Sequence, residues 1–206
     1  MFTKYDAKRF LIDIVYPNKC PFCDSVIAHN GYYCCTGELE LLENSKTDNT
    51  IALFGYNEVS MPFVYSIKGG GNGYAISAAA KLISERITQD IDLIACIPTD
   101  SARMRERGYN PPALIARELA GITGIARDTK LLIKTRRTQL QKSLTAIERR
   151  ENMKGVFACN QKCSGNILLI DDVCTTGATL AEAEKVLLES GAGKVYRAVV
   201  AMTVRD

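Results

Sequence analysis

Two adjacent carboxylates, Asp171 and Asp172, close the apolar run Ile167, Leu168, Leu169 and Ile170. A run of small and hydroxylated residues follows: Thr175, Thr176, Gly177, Ala178 and Thr179. A continuous apolar run reads as a buried parallel strand, and a helical pattern begins near Leu180, so the order is strand, loop, helix. Ligands of open α/β sheets sit beyond the carboxyl ends of the strands, which is where this order puts the acids. Three threonine hydroxyls, a glycine that lets the backbone come close, and the N–H groups opening a helix make a cradle for phosphate. The lysine and spacing of a Walker loop are absent. Two acids directly before such a cradle repel a polyphosphate unless a cation or sugar hydroxyls lie between. A sugar phosphate carrying a divalent metal satisfies both halves.

A second chemistry lies near the N-terminus. Cys20 and Cys23 form a C-x₂-C knuckle, and the adjacent pair Cys34 and Cys35 follows after ten intervening residues. Thiolates two residues apart can bind one tetrahedral ion, and in a cytosolic chain this spacing favours a structural zinc over disulfides. The second half is irregular: Cys34 and Cys35 both ligate, or His29, the only histidine, completes the set.

Basic residues make a third group. Arg103, Arg105 and Arg107 fall in the segment after a strand-like run at 91–98, and Lys134 to Lys154 holds seven basic and two acidic residues, Arg136 and Arg137 among them. The whole chain is only +3, so basicity is local. That suits an anion site, a small nucleic-acid contact or a solvated helix face better than a surface that coats DNA.

The elements that must position these groups are those of a globular α/β chain. At 206 residues, 47% hydrophobic and 24% charged, there is enough apolar material for one ordinary domain with an appendage. No apolar run approaches the ~20 residues of a membrane-spanning helix, and no signal-peptide pattern opens the chain. The expectation is a cytoplasmic protein with no membrane insertion. The polar, turn-rich stretch at 44–50 divides an N-terminal helix and zinc module, residues 1–46, from a larger domain, residues 47–206. A short helix is expected at 4–15, one or two strands at 51–65, a glycine-rich hinge at 68–73 and a helix at 75–87. A strand at 91–98, a loop bearing the three arginines, a helix at 111–120, the motif strand, a helix at 180–190 and a strand at 195–204 follow. Alternation of strand and helix argues for a mainly parallel sheet flanked by helices, with the motif strand and the last strand as neighbours. Cys96 and Cys174 at strand ends, and the Cys159/Cys163 pair, carry no expected redox or metal role.

The motif at 167–179 resembles the 5-phosphoribosyl-1-pyrophosphate (PRPP) motif of phosphoribosyltransferases. With the cysteine module, Arg107-Gly-Tyr-Asn110, the basic glutamine-containing segment after Lys134 and Arg149-x-x-Asn152, the chain from Cys20 onward is similar to the ComF family. The resemblance implies a type I phosphoribosyltransferase-like fold with a small zinc-finger module. Asp171 and Asp172 would serve the ribose hydroxyls directly or through Mg²⁺, with 175–179 on the 5′-phosphate. Arg103, Arg107, Arg136 and Arg137 would face pyrophosphate or nucleic acid. It also implies a role in competence and DNA uptake, with PRPP or a related phosphoribosyl ligand, single-stranded DNA and uptake-machinery proteins as partners. The alternative is an active Mg²⁺-dependent phosphoribosyltransferase acting on a nitrogenous base or amine.

Overall fold

The computed structural model describes residues 19–20, 25–26, 49–70, 73–136 and 146–203. Strands β1 (Thr50–Gly55), β2 (Leu93–Cys96), β3 (Ala126–Arg127), β6 (Asn166–Cys174) and β7 (Lys194–Met202) form one sheet in the order β1-β7-β6-β2-β3. Every pairing in it is parallel. Strands β4 (Leu132–Lys134) and β5 (Phe157–Cys159) make a separate antiparallel pair. The helices are α1 (Met61–Gly70), α2 (Gly73–Ser84), α3 (Ser101–Arg107), α4 (Pro111–Thr123), α5 (Ala146–Met153) and α6 (Ala178–Glu189). Among the described residues, no helix is long and apolar enough to cross a membrane.

Both sheet faces are covered because side chains alternate along each strand. Leu168 and Ile170 of β6 pack with Phe63, Val64 and Ile67 of α1, the small residues of α2, and Ile115 and Leu119 of α4. Ile167 and Leu169 pack on the other side with Leu180, Ala183 and Leu187 of α6 and with the β4–β5 pair. All four of these β6 side chains are fully buried, which is why the run lacks polar alternation. Alanines at 75, 78, 79 and 80 are also fully buried, so α2 can lie close to α4.

Strand order locates the ligand crevice. From β2 the chain moves outward to β3, whereas from β6 it moves the opposite way to β7. The boundary between β2 and β6 is therefore the topological switch point, where ligands of open α/β sheets bind. The adjacency of β6 and β7 agrees with the expectation.

Three expectations are corrected. Residues 51–65 hold one of the one or two strands expected, but they are not strand throughout, because a helix begins at Met61: Asn57 Oδ1 accepts the N–H groups of Val59 and Ser60, and Pro62 sits in the first turn, where its missing N–H costs nothing. The arginine segment is a helix, not a loop. Asp100 Oδ1 accepts the N–H groups of Ala102 and Arg103 at 3.0 Å each, and Gly108, in the left-handed region at φ 78°, ends it with its N–H on the Met104 carbonyl. The glycine-rich run is not hinge throughout, since Gly69 and Gly70 finish α1 and Gly73 opens α2. The expected helix at 4–15 lies outside the described residues.

Candidate functional site

Strand β6 extends further than its apolar run, so both acids lie within it and not after it; the loop begins at Thr175. Asp171 is buried and Asp172 is half-buried, and strand alternation sends them to opposite faces. Their surroundings differ accordingly. Asp171 Oδ1 accepts the N–H of Asp172 at 2.8 Å, and its other oxygen meets no protein donor among the described residues. Burial, then the neighbouring Asp172 charge, pushes the Asp171 carboxyl up to about 8, while that N–H, Lys68 and Arg103 pull the other way. Asp172 Oδ1 lies 3.4 Å from Lys68 Nζ at the end of α1. A buried carboxyl with one donor for two oxygens leaves room for a cation or a ligand hydroxyl, so this donor set fits Mg²⁺ or a ribose.

Past β6, Gly177 occupies the N-cap position of α6 with φ 75° and no side-chain cap. Thr176 Oγ1 accepts the N–H of Ala178 at 3.4 Å. Thr175 is exposed, Thr176 and Thr179 half-exposed and Ala178 buried, so the hydroxyls ring a helix N-terminus whose dipole favours an anion. A Cβ on Gly177 would meet only Cys174 Sγ at 3.9 Å. The requirement for glycine is thus conformational, because a side chain in the left-handed region costs roughly 1–2 kcal/mol. Gly177→Ala is expected to lower the thermal midpoint by roughly 2–8 °C and to weaken binding of inorganic phosphate; a calorimetric scan and a phosphate titration check both.

The neighbouring wall comes from the end of β2. Ile97 donates its N–H to the Ile170 carbonyl at 2.9 Å, which sets α3 beside the acids. Arg103 is near enough for its charge to act on Asp171, and it also approaches Asp100 at 3.7 Å. Arg107 is half-exposed at the last turn. The Arg-Gly-Tyr-Asn segment acts as a staple. Asn110 Nδ2 donates to the Ile97 carbonyl at 3.0 Å and Asn110 Oδ1 accepts from Thr99 Oγ1 at 3.0 Å. Tyr109 Oη donates to the carbonyls of Ile67 and Lys68, at 3.0 and 2.9 Å. Tyr109 is therefore a packing residue of this wall. The N–H of Arg103 holds Asp100 below its ordinary value against the opposing effect of burial, with the Lys134 and Arg103 charges adding to it.

A cleft of ≈ 570 Å³ opens beside α3, between Pro98–Ser101 and the β4–β5 pair; Lys134, Arg136 and Asn160 line its far side. Burial lowers the Lys134 pKa, partly countered by Asp100, whose carboxylate lies 3.9 Å away. The Arg136 guanidinium donates to the carbonyls of Asn152 and Lys154, at 3.0 and 2.8 Å, so it clasps the end of α5. Arg137 lies outside the described residues. Burial pushes the Cys96 thiol up to about 12, which keeps it protonated. Of the cysteine module, Cys20 is buried and its N–H donates to the Ser25 carbonyl at 2.8 Å; Cys23, His29, Cys34 and Cys35 lie outside the described residues.

Sequence reasoning missed Lys68 and Asp100. For Asp100 the signal was there, an aspartate directly before a helix-compatible run. For Lys68 there was none, since its partner is more than 100 residues away.

No family model matches the chain. It is 29% identical to the DNA utilization protein YhgH of Salmonella typhimurium, over 85% of this chain and 80% of that protein. Identity is 28% with the same-named protein of Escherichia coli, at the same coverage. Competence protein F of Haemophilus influenzae is 31% identical over 50% of this chain and 47% of its own length. Among solved structures, adenine phosphoribosyltransferase from Leishmania tarentolae aligns over 79% of this chain and 94% of its own, with TM-score 0.45 and 14% identity. Glutamine PRPP amidotransferase from B. subtilis aligns over 68% and 30%, with TM-score 0.45 and 19% identity.

Proposed function

We propose that this chain, a homologue of the proteins named DNA utilization protein YhgH and Competence protein F, is a ComF-type protein. In this reading it binds PRPP or a related phosphoribosyl ligand with Mg²⁺ at the end of β6, and serves DNA uptake and use. One observation carries the ligand assignment: a buried, half-satisfied carboxyl stands at the sheet's switch point, directly before a glycine-led helix N-terminus. Asp171 and Asp172 would hold the metal or the ribose hydroxyls, and 175–179 the 5′-phosphate. Mg²⁺ would supply positive charge against the pyrophosphate. Single-stranded DNA and uptake-machinery proteins are the proposed partners, with the basic segment after Lys134 as the contact, and the cytoplasm is the proposed compartment. Calorimetric titration with PRPP and Mg²⁺ tests the ligand, and oligonucleotide anisotropy tests the DNA contact. One saturable PRPP site that is lost with ethylenediaminetetraacetate is expected; heat-silent mixing at millimolar PRPP rejects the assignment.

The cleft beside α3 favours a second reading, an active transferase. Its ≈ 570 Å³ lies within the size range of small-molecule pockets and can admit a nitrogenous acceptor. Release of pyrophosphate on incubating PRPP with a panel of bases and amines tests this.

A structural zinc on Cys20, Cys23 and one or both of Cys34 and Cys35 completes the proposal. A module of roughly 30 residues has too little core to fold unaided, so the metal would supply folding energy. One zinc per chain is expected by elemental analysis, and chelation should open protease sites within 20–45 first. Protein purified without chelators and devoid of zinc rules it out.

A further inference from the structure

We propose that Lys68 is a built-in counter-ion of Asp172 that a divalent metal must displace, so that this chain's own ammonium group sets the metal concentration at which the site loads. The inference rests on reading the end of β6 as a phosphoribosyl site. Lys68 Nζ stands 3.4 Å from Asp172 Oδ1, and the two side chains are only 24% and 18% exposed, so the pair is screened less than a surface ion pair.

The lysine backbone is fixed from two directions. Phe63, Val64 and Ile67 bury α1 in the core, and the Tyr109 hydroxyl holds the carbonyls of Ile67 and Lys68. Its side chain is the movable part, since an ammonium is a point charge on a flexible stem that can leave a carboxylate without breaking a bidentate fork. Asp171 lies next to the pair and is itself held partly in check by the Lys68 charge. The lysine therefore stands against the Asp172 carboxylate, with Asp171 beside it, while no metal is present. A metal entering between the acids meets a like charge that must move aside, and the freed ammonium then faces the ligand's phosphate oxygens.

The test uses the full chain. Mg²⁺ alone is titrated calorimetrically at low salt into wild type, K68Q, K68R, Y109F and the double variant K68Q/D172N, and the Mg²⁺ requirement for PRPP binding is measured in parallel. K68Q is expected to bind Mg²⁺ about tenfold more tightly than wild type, because a like charge within ~4–6 Å is removed. K68R should bind Mg²⁺ no more tightly than wild type, because a guanidinium keeps the charge and can hold Asp172 with two bonds, and Y109F should shift in the K68Q direction by about twofold to threefold as Lys68 loses its tether. K68Q/D172N should fall below wild type. A K68Q protein that melts cooperatively yet binds Mg²⁺ no better than wild type overturns the proposal, as does the absence of Mg²⁺ uptake in every variant. If K68Q is poorly folded, an unchanged Mg²⁺ affinity in Y109F overturns it. A wild type that takes up Mg²⁺ in competition with Lys68 but binds no PRPP leaves the counter-ion assignment standing and rejects the phosphoribosyl reading.

Discussion

Replacing Asp171 with asparagine is expected to weaken Mg²⁺-dependent PRPP binding by about one to two decades at pH 8. A charge-assisted contact of roughly 1.5–3 kcal/mol is lost while size and polarity are kept. Asp172→Asn should cost less, because that carboxylate already shares its charge with Lys68 in the free protein. The two variants should also differ in their pH response. In the wild type, the Asp171 carboxyl, raised to about 8 by burial and by Asp172, must lose a proton before it can hold a cation. Affinity should therefore rise with pH by up to about a decade per unit below pH 8 and then level off. That slope should vanish in Asp171→Asn. Stability runs the other way. A folded-state pKa above the unfolded value means that stability present at pH 4 is lost as the pH rises toward 8, so the wild-type thermal midpoint should fall across that window and the Asp171→Asn midpoint should hold. PRPP titrations at pH 6.5, 7.5 and 8.5 with parallel melts check both signs. Equal binding by wild type and both asparagine variants would place the ligand elsewhere.

The largest loss of stability is expected from Phe63→Ala. Phe63 is fully buried and meets Phe54 of β1 edge to face, with ring centroids 5.3 Å apart. Removing the ring forfeits its transfer energy and leaves a cavity, together about 3–5 kcal/mol, equivalent to a midpoint shift on the order of 10 °C for a chain of this length. The residue also anchors the helix that carries Lys68, so loosened packing should pass to the acids. Metal affinity should move in the K68Q direction in Phe63→Ala, whereas a conservative Phe63→Leu should leave it nearly unchanged. Denaturant melts and Mg²⁺ titration of the two variants separate packing from charge.

What could be read from the residue order follows from where burial leaves a pattern. Four consecutive apolar residues before two acids announced β6, because a strand covered on both faces carries no alternation. Helix α4 was equally plain in its start and inner face, two prolines and then Ile115, Ala116 and Leu119, although it runs past the expected end at 120 to Thr123, where Gly124 caps it. Helix α3 was hidden because none of its residues is buried, leaving no apolar period. Helix α1 read as strand because Phe63, Val64, Tyr65 and Ile67 are β-favouring types, and only the Asn57 turn and Pro62 betrayed the change. Strands β4 and β5 have three residues each, too few to show alternation. At the site, the acids and the threonine loop were legible as chemistry in one stretch. That Asp171 and Asp172 differ, one toward the ligand and the other toward the loop or a basic neighbour, followed from strand alternation; which groups make them differ did not, since Lys68 and Arg103 are brought in by the crossings of the chain.

The position of β7 governs the order in which the protein can be built. Among the described residues, β1 has β7 as its sole strand neighbour, and that pairing joins Thr50 to Arg197. A nascent chain emerging from the ribosome can assemble β2, β3 and β6 early, but β1 must wait with an unpaired edge until β7 has been made. Contacts of such long separation slow folding, and an apolar strand left open invites association with other chains. Premature termination before Lys194 would therefore yield an aggregation-prone fragment, although every residue of the acidic motif would already be present.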